Sequence, residues 1–414
     1  MTSTVFMLGA GFNRSIAEGP FPSASFGFGA DCTPPLATDF FEVILASEKN
    51  RGRMTRWSEY DNAHIAFLLK YIAGEYGLGV EELRSNPLDL EAVMTGIEER
   101  RKELNWSPHG PEVVHNAWFG LLDLLYWYLT NMTSGLSHLL SGCGESFGKS
   151  VWDSSADVIS FNYDMIAEEV IGRVSGHNTI RSDLTNCPYG AELDELANHP
   201  ERIPDDELDA SRQAWNANLA YGFEFAEVLL PIAGMSFRID GSRYYRHPNN
   251  TLYQNRQVLK LHGSLNWMKV RAEGYRRRGS AEHRVGDILL ESHPMFSPAH
   301  SPHLPRRFDE EQLEPVIVPP QLYKDFEGDP LESVWRRARH SLEGCADLIV
   351  VGYSFPETDE RILGLLGDVF EDHRLNSLTV VDPSPERVLG IVSERTRFSG
   401  SVETPASLRE FFDV

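Results

Sequence analysis

Paired cysteines are missing from this sequence. Cys32, Cys143, Cys187 and Cys345 are scattered along 414 residues without a Cys-x-x-Cys pair. That spacing excludes a zinc ribbon or a disulfide scaffold, so no metal is expected and the thiols read as those of a reduced, cytoplasmic protein. A basic N-terminal region leading into an apolar stretch is also lacking, so no secretory signal is expected. The longest apolar stretch, Ala117 to Met132, is interrupted by Asp123 and is short for a membrane span. A buried helix accounts for it, and no membrane contact is expected. Positive charge is scarce: 38 Lys and Arg face 61 Asp and Glu, a formal net charge of −23. A surface that acidic repels phosphate backbones and disfavours direct nucleic-acid binding. Internal repeats and low-complexity linkers are absent. An apolar content of 41% is nonetheless enough for a sizeable core.

What is present begins at once. Val5-Phe6-Met7-Leu8 reads as a buried parallel strand, and Gly9-Ala10-Gly11-Phe12-Asn13-Arg14 follows it directly. A Gly-x-Gly turn brings backbone N–H groups close to a pyrophosphate, and a helix starting near Asn13 would add its dipole. Arg14 stands where a dinucleotide fingerprint has its third glycine. A tight turn with no ligand is the competing reading. The long Gly-, Pro- and Ser-rich stretch from Ser15 to Pro35 reads as a lid over the same place.

Residues 36–140 read as a helical insertion. Thr38 is a candidate cap for its first helix. Ile65, Leu68, Leu69 and Ile72 fall on one helical face, residues 89–100 form another helix, and 112–140 form one buried nearly all round. Asp157-Val158-Ile159-Ser160-Phe161 is a second buried strand, ending in Asn162-Tyr163-Asp164, with a helix from Met165 to Arg173. Residues 174–256 read as a second insertion, acidic over 192–209, where a solvated face is the plain explanation. Val258-Leu259-Lys260-Leu261 is a third strand, followed by His262-Gly263-Ser264 and a basic loop with Lys269, Arg271 and Arg276 to Arg278. His293, His300 and His303 lie in a Pro-rich loop with no metal-ligand spacing. Pro315 to Pro319, Asp347 to Val351 and Leu378 to Val381 complete the strands, with a helix from Asp359 to Phe370 between the last two. Strands alternating with helices predict an α/β fold: one Rossmann-like domain over 1–414, with a doubly wound parallel sheet and helical insertions as a second layer.

Four stretches, taken together and in order, resemble the sirtuin-like family, in particular its bacterial branch of anti-phage NADases. They are Gly9-Ala10-Gly11-Phe12, Ser160-Phe161-Asn162-Tyr163-Asp164, Lys260-Leu261-His262-Gly263-Ser264 and Gly352-Tyr353-Ser354-Phe355-Pro356. Val380-Val381-Asp382-Pro383 is similar to the family's last nucleotide-binding strand. The resemblance implies NAD as substrate. It assigns catalysis to Asn162 and His262, and NAD binding to Gly9, Ala10, Gly11, Phe12, Asn13, Asp164, Gly352, Ser354 and Asp382. The four-cysteine zinc module and the Gly-Ile-Pro-x-Phe-Arg segment of protein-deacylating sirtuins are absent, which argues against deacylation. The resemblance also implies a homo-oligomer, and a HerA-like ATPase as a partner, since no ligand-sensing domain is visible after Asp382.

The residue chemistry agrees. Releasing nicotinamide passes through an oxocarbenium-like transition state, as in glycoside hydrolysis. An asparagine can both donate to and accept from a ribose hydroxyl or a water. A free imidazole, with a pKa of about 6.5, accepts a proton at cellular pH. Asp164 is as well suited to capping the next helix, and Asp382 to capping the turn at Pro383, as either is to a ligand. Besides an NAD glycohydrolase, an ADP-ribosyltransferase and a catalytically silent NAD- or ADP-ribose-binding subunit remain open.

Overall fold

The computed structural model describes residues 3–17, 34–56, 63–103, 112–136, 142–174, 221, 223, 225–232, 235–240, 257–270, 288–291, 306–308, 311–318, 331–356, 359–371, 375–396 and 398–414. Its centre is β1 (Ser3–Leu8), whose Val5, Phe6, Met7 and Leu8 are at most 1% exposed. Such a run is buried on both faces, the condition of a central parallel strand. On one side lie β2 (Asp157–Ser160) and β5 (Val258–Lys260); on the other lie β10 (Cys345–Val351), β11 (Ser377–Val381) and β12 (Ser401–Glu403). The six pair in parallel in the order β12-β11-β10-β1-β2-β5. This is the doubly wound Rossmann-like arrangement. The chain builds outward from β1 in one direction, then returns to start the other half at β10. The crevice between β1 and β10, at their C-terminal ends, is therefore the topological switch point where such sheets take ligands. Leu8 lies level with both Ser160 and Val351, so the turns leaving β1, β2 and β10 emerge side by side.

After β1 come α1 (Ala10–Ala17), α2 (Phe40–Ala46), α3 (Glu48–Arg56), α4 (Ala63–Tyr76), α5 (Leu90–Glu103), α6 (Glu112–Leu136) and α7 (Cys143–Ser154). Thr38 does not cap α2. It lies exposed within a short 3-10 turn, and Asp39 takes the N-cap position. Helix α6 is buried continuously from Ala117 to Thr130, as its all-round apolar sequence requires. Its one acid in that run, Asp123, is 1% exposed and faces His64 Nδ1 of α4 at 3.3 Å. Gly120 permits this approach, since a Cβ there would lie 2.2 Å from the His64 carbonyl oxygen.

The second half of the chain departs from the alternating reading. Among the described residues, β3 (Glu227–Ile232), β4 (Met235–Asp240), β6 (Gly263–Val270), β7 (Ile288–Glu291), β8 (Arg306–Phe308) and β9 (Glu311–Ile317) form a separate sheet in the order β4-β3-β7-β6-β9-β8. Its pairings are antiparallel except for β3 with β7. The strand at Pro315 thus belongs to this sheet and not to the parallel one. Lys269, placed by sequence in a basic loop, is in β6 and pairs with Glu314 at 3.2 Å. Alternating hydrophobicity cannot say which sheet a strand joins, and here the chain passes from one sheet to the other within three residues of β5. The lid segment 18–33, the acidic stretch 192–209, Arg271, Arg276 to Arg278, and His293, His300 and His303 lie outside the described residues. The remaining helices are α8 (Ile166–Val174), α9 (Leu331–Glu343), α10 (Glu360–Val369), α11 (Glu386–Thr396) and α12 (Leu408–Phe412).

Candidate active site

A cleft of about 1150 Å³ opens at the switch point. Its floor is the turns after β1, β2, β5, β10 and β11. One wall comes from the inserted helices, through Tyr76, Glu91, Met94, Thr95 and Leu125 among others. Of the sequence-assigned residues, Gly9, Ala10, Gly11, Asn13, Asn162, Asp164, His262, Gly352, Ser354 and Asp382 all line it. Phe12 does not. Its ring is fully buried on the core side of α1, 4.7 Å from the Phe147 ring, because an aromatic at that helical position faces inward.

The glycine turn is locked to its neighbour. Gly9 N donates to Val351 O and Gly11 N to Gly352 O, each at 3.0 Å. A Cβ on Gly9 would lie 2.5 Å from Gly352 O, and one on Gly11 2.7 Å from Gly352 Cα. These two glycines thus serve close packing of the β1 and β10 turns. Their N–H groups are used in that packing. Gly352 itself has φ +56°, where a side chain is strained, and a Cβ there would meet Gly11 at 2.4 Å. Arg14, at the place of the third glycine, donates to Pro34 O at 2.9 Å and pairs with Asp39. It ties α1 to the segment that enters α2.

The turn after β2 is held from three sides. Asn162 Nδ2 donates to Gly9 O at 3.0 Å, so the catalytic candidate is fixed on the glycine turn. Asp164 accepts from Asn13 Nδ2 at 2.7 Å and from the Ile166 N–H at 3.0 Å. Its carboxylate therefore caps α8 and clamps α1 at once. Asn13 Oδ1 is left buried without a partner among the described residues. Beneath the turn, Lys260 is fully buried. It donates to the Asp164 carbonyl oxygen and lies 3.4 Å from Glu168. Tyr221 OH donates to Glu168 at 3.2 Å and receives Asn266 Nδ2 at 3.3 Å, linking the pair to β6. Burial pushes the Glu168 carboxyl above its usual range, against the pull of Lys260.

His262 emerges from the two-residue link between β5 and β6. Gly263 makes that link possible: its φ is +80°, and a Cβ would lie 2.0 Å from Val316 O. The imidazole is 4% exposed, and its Nε2 is 3.1 Å from Asp359 Oδ2. Tyr353 OH donates to the same carboxylate oxygen at 2.5 Å. The Tyr353 ring stacks on Phe161 at 3.7 Å with an interplanar angle of 1°, and Phe161 meets the His262 ring edge-on at 5.3 Å. Phe355 holds the turn that leads to Asp359. It is a fully buried non-glycine residue at φ +49°, and it precedes a proline, which disfavours that conformation further.

Asp359 went unrecognised in the sequence because it occupies the N-cap position of α10, where a carboxylate ordinarily signals capping. Here the side chain makes no cap hydrogen bond and is turned to His262 and Tyr353 instead. Ser354 is exposed at the cleft edge. Asp382 Oδ1 accepts the Ser384 N–H at 2.8 Å, the turn-capping arrangement, while the residue still lines the cleft beside Arg387. No group of three or more His, Cys, Asp or Glu suited to a metal occurs among the described residues. No helix among them is long and apolar enough to cross a membrane.

No protein-family model matches the chain, and no curated protein does. Among solved structures it is similar to the crystal structure of a Sir2 homolog–NAD complex, with a TM-score of 0.34 and 12% sequence identity over 73% of each chain. At that TM-score the likeness carries no argument. The strand order alone establishes the Rossmann-like fold.

Proposed function

We propose that this protein is an NAD glycohydrolase, converting NAD and water to nicotinamide and ADP-ribose. The observation that carries the reading is the convergence, in one cleft at the switch point, of Asn162 and a His262–Asp359 pair. The cleft is large enough for a dinucleotide. The unpartnered Asn13 Oδ1 fits a ligand hydroxyl, the group a ribose supplies. The N-terminus of α1 and the cleft-lining Arg387 offer positive potential to a pyrophosphate. In the reaction the bond from ribose C1′ to nicotinamide breaks with its electron pair going to the nicotinamide nitrogen. Water adds to C1′, and its proton passes to His262. Asp359 orients the imidazole and stabilises its cationic form, as the third member of a catalytic triad does. Asn162 orients a ribose hydroxyl or the water. The test is incubation of pure protein with NAD and chromatographic separation of the products. Free nicotinamide and ADP-ribose in equal amounts support hydrolysis. ADP-ribose attached to protein or nucleic acid indicates transfer, and binding without turnover indicates a silent subunit.

The reading extends to a cytoplasmic homo-oligomer that depletes NAD in phage defence and is controlled by a HerA-like ATPase partner. What supports that extension is the ordered set of sequence motifs. Light scattering on the pure protein tests the oligomer, since a monodisperse monomer at micromolar concentration contradicts it. Turnover measured with and without a co-expressed HerA-like ring tests the control.

A further inference from the structure

One oxygen of the Asp359 carboxylate is held twice. Its Oδ2 lies 3.1 Å from His262 Nε2 and accepts the Tyr353 hydroxyl at 2.5 Å. Asp359 stands at the N-cap of α10, where a carboxylate ordinarily accepts a backbone N–H of the first turn. It makes no such bond, and its carboxylate serves the two side chains instead. Tyr353 is itself fixed. It is 6% exposed, and its ring lies flat on Phe161 at 3.7 Å. The turn from Tyr353 to Asp359 passes through Phe355 at φ +49°, the kind of backbone strain that persists only where the surrounding structure imposes it. Burial, aided by the charge of Asp359, holds the Tyr353 phenol well above its usual range, so it stays a donor into alkaline pH. The other groups near the imidazole come from different elements. Tyr163, in the turn after β2, is centred 6.4 Å from the ring and donates its hydroxyl to Val318 O at 3.3 Å. Lys260, two residues before His262, donates to Asp164 O and faces Glu168. Glu91 of α5 adds a negative charge felt by both phenols.

We propose that Tyr353 is a positioning residue for the reaction: its hydroxyl satisfies the Asp359 anion and so keeps His262 an unprotonated base at cellular pH. The proposal rests on the glycohydrolase reading and deepens it. A buried carboxylate that loses a hydrogen-bond donor is the more strongly stabilised by a cation beside it. Without the Tyr353 hydroxyl, Asp359 would therefore draw a proton onto the imidazole. An imidazolium cannot take the proton of the attacking water. The tyrosine moderates that pull and leaves the imidazole oriented. His262 and Asp359 titrate as one unit, so the quantity Tyr353 sets is the pair's apparent proton affinity.

Tyr353→Phe removes the hydroxyl and keeps the ring that stacks on Phe161. Its profile of kcat/KM for nicotinamide release against pH is compared with that of wild type. The acid limb is expected to move up by about one pH unit, a loss of about tenfold on that limb that is recovered to within about twofold above about pH 9. The imidazole nitrogen NMR signal of His262 in substrate-free protein, assigned with His262→Ala, is expected to titrate higher by the same amount. An unmoved or lowered His262 titration overturns the proposal. So does a loss of kcat/KM that is equal at every pH, because Tyr353 would then only shape the cleft. If Tyr353→Phe does not fold, the wild-type titration decides: a His262 imidazolium that persists above about pH 8 overturns the proposal, and a neutral ring at pH 7 supports it. Failure of the glycohydrolase reading looks different, since wild-type protein would itself release no nicotinamide while the NMR titrations could still be compared.

Discussion

His262 Nε2 and Asp359 Oδ2 stand 3.1 Å apart although 97 residues separate them in the chain. The imidazole comes from the link between the two sheets and the carboxylate from the start of α10, so the pair exists only when both halves of the parallel sheet are assembled. His262→Ala and Asn162→Ala are each expected to reduce nicotinamide release to near background, and Asp359→Asn to lower kcat by about 100-fold or more by freeing the imidazole. Circular dichroism of each variant separates lost chemistry from lost fold. Turnover at the wild-type rate in any of the three would remove that residue from the mechanism.

Lys260 and Glu168 form a buried ion pair under the Asn162 turn. Replacing Lys260 with Met leaves Glu168 in the core without its cation, and the expected loss is about 3–5 kcal/mol at neutral pH. The loss depends on pH in a defined direction. Glu168 already has a folded pKa above its ordinary 4.5 because of burial, and losing Lys260 raises it further. An acid raised in this way binds its proton more tightly when folded. Its stabilisation is complete below about the unfolded pKa and declines as pH rises through the folded value. Urea unfolding of Lys260→Met should therefore show a smaller deficit at pH 5 than at pH 8. A deficit that does not change with pH would contradict this account of Glu168.

Cys345 begins β10, is fully buried, and has its thiol pKa pushed up to about 12 by burial. Cys143 is 1% exposed. Cys345 supplies no thiolate at ordinary pH and Cys143 is shut away from solvent, so both are expected to resist alkylation at pH 8 until the protein unfolds. Peptide mapping after iodoacetamide treatment, with and without denaturant, checks this. Native labelling of Cys345 at the rate of a free thiol would contradict its placement.

Gly263→Ala adds a methyl group 2.0 Å from a carbonyl oxygen at φ +80°. The substitution must displace β9 or the link that holds His262. It is expected to destabilise the protein by roughly 3 kcal/mol or more, through strain combined with overpacking. A thermal melt matching wild type would show that the link is not built as described.

The local chemistry of the chain was legible in the sequence. Val5 to Leu8 and Leu348 to Val351 are apolar runs suited to a buried strand, and their alternation with helices predicts a parallel sheet. Ala117 to Met132 has no polar face, so it had to be buried all round. The residue types of the turns, Gly-x-Gly, Asn-x-Asp and His-Gly, marked the ends of strands where ligands bind. Tertiary structure decided the rest. Gly9 and Gly11 meet Gly352 because the register of β1 against β10 brings the two turns into contact. The strand at Pro315 joins an antiparallel sheet, since hydrophobic pattern identifies a strand but not its partner. Asp359 at a helix start reads as a cap, and only the fold, which brings the start of α10 to the link after β5, sets it against His262.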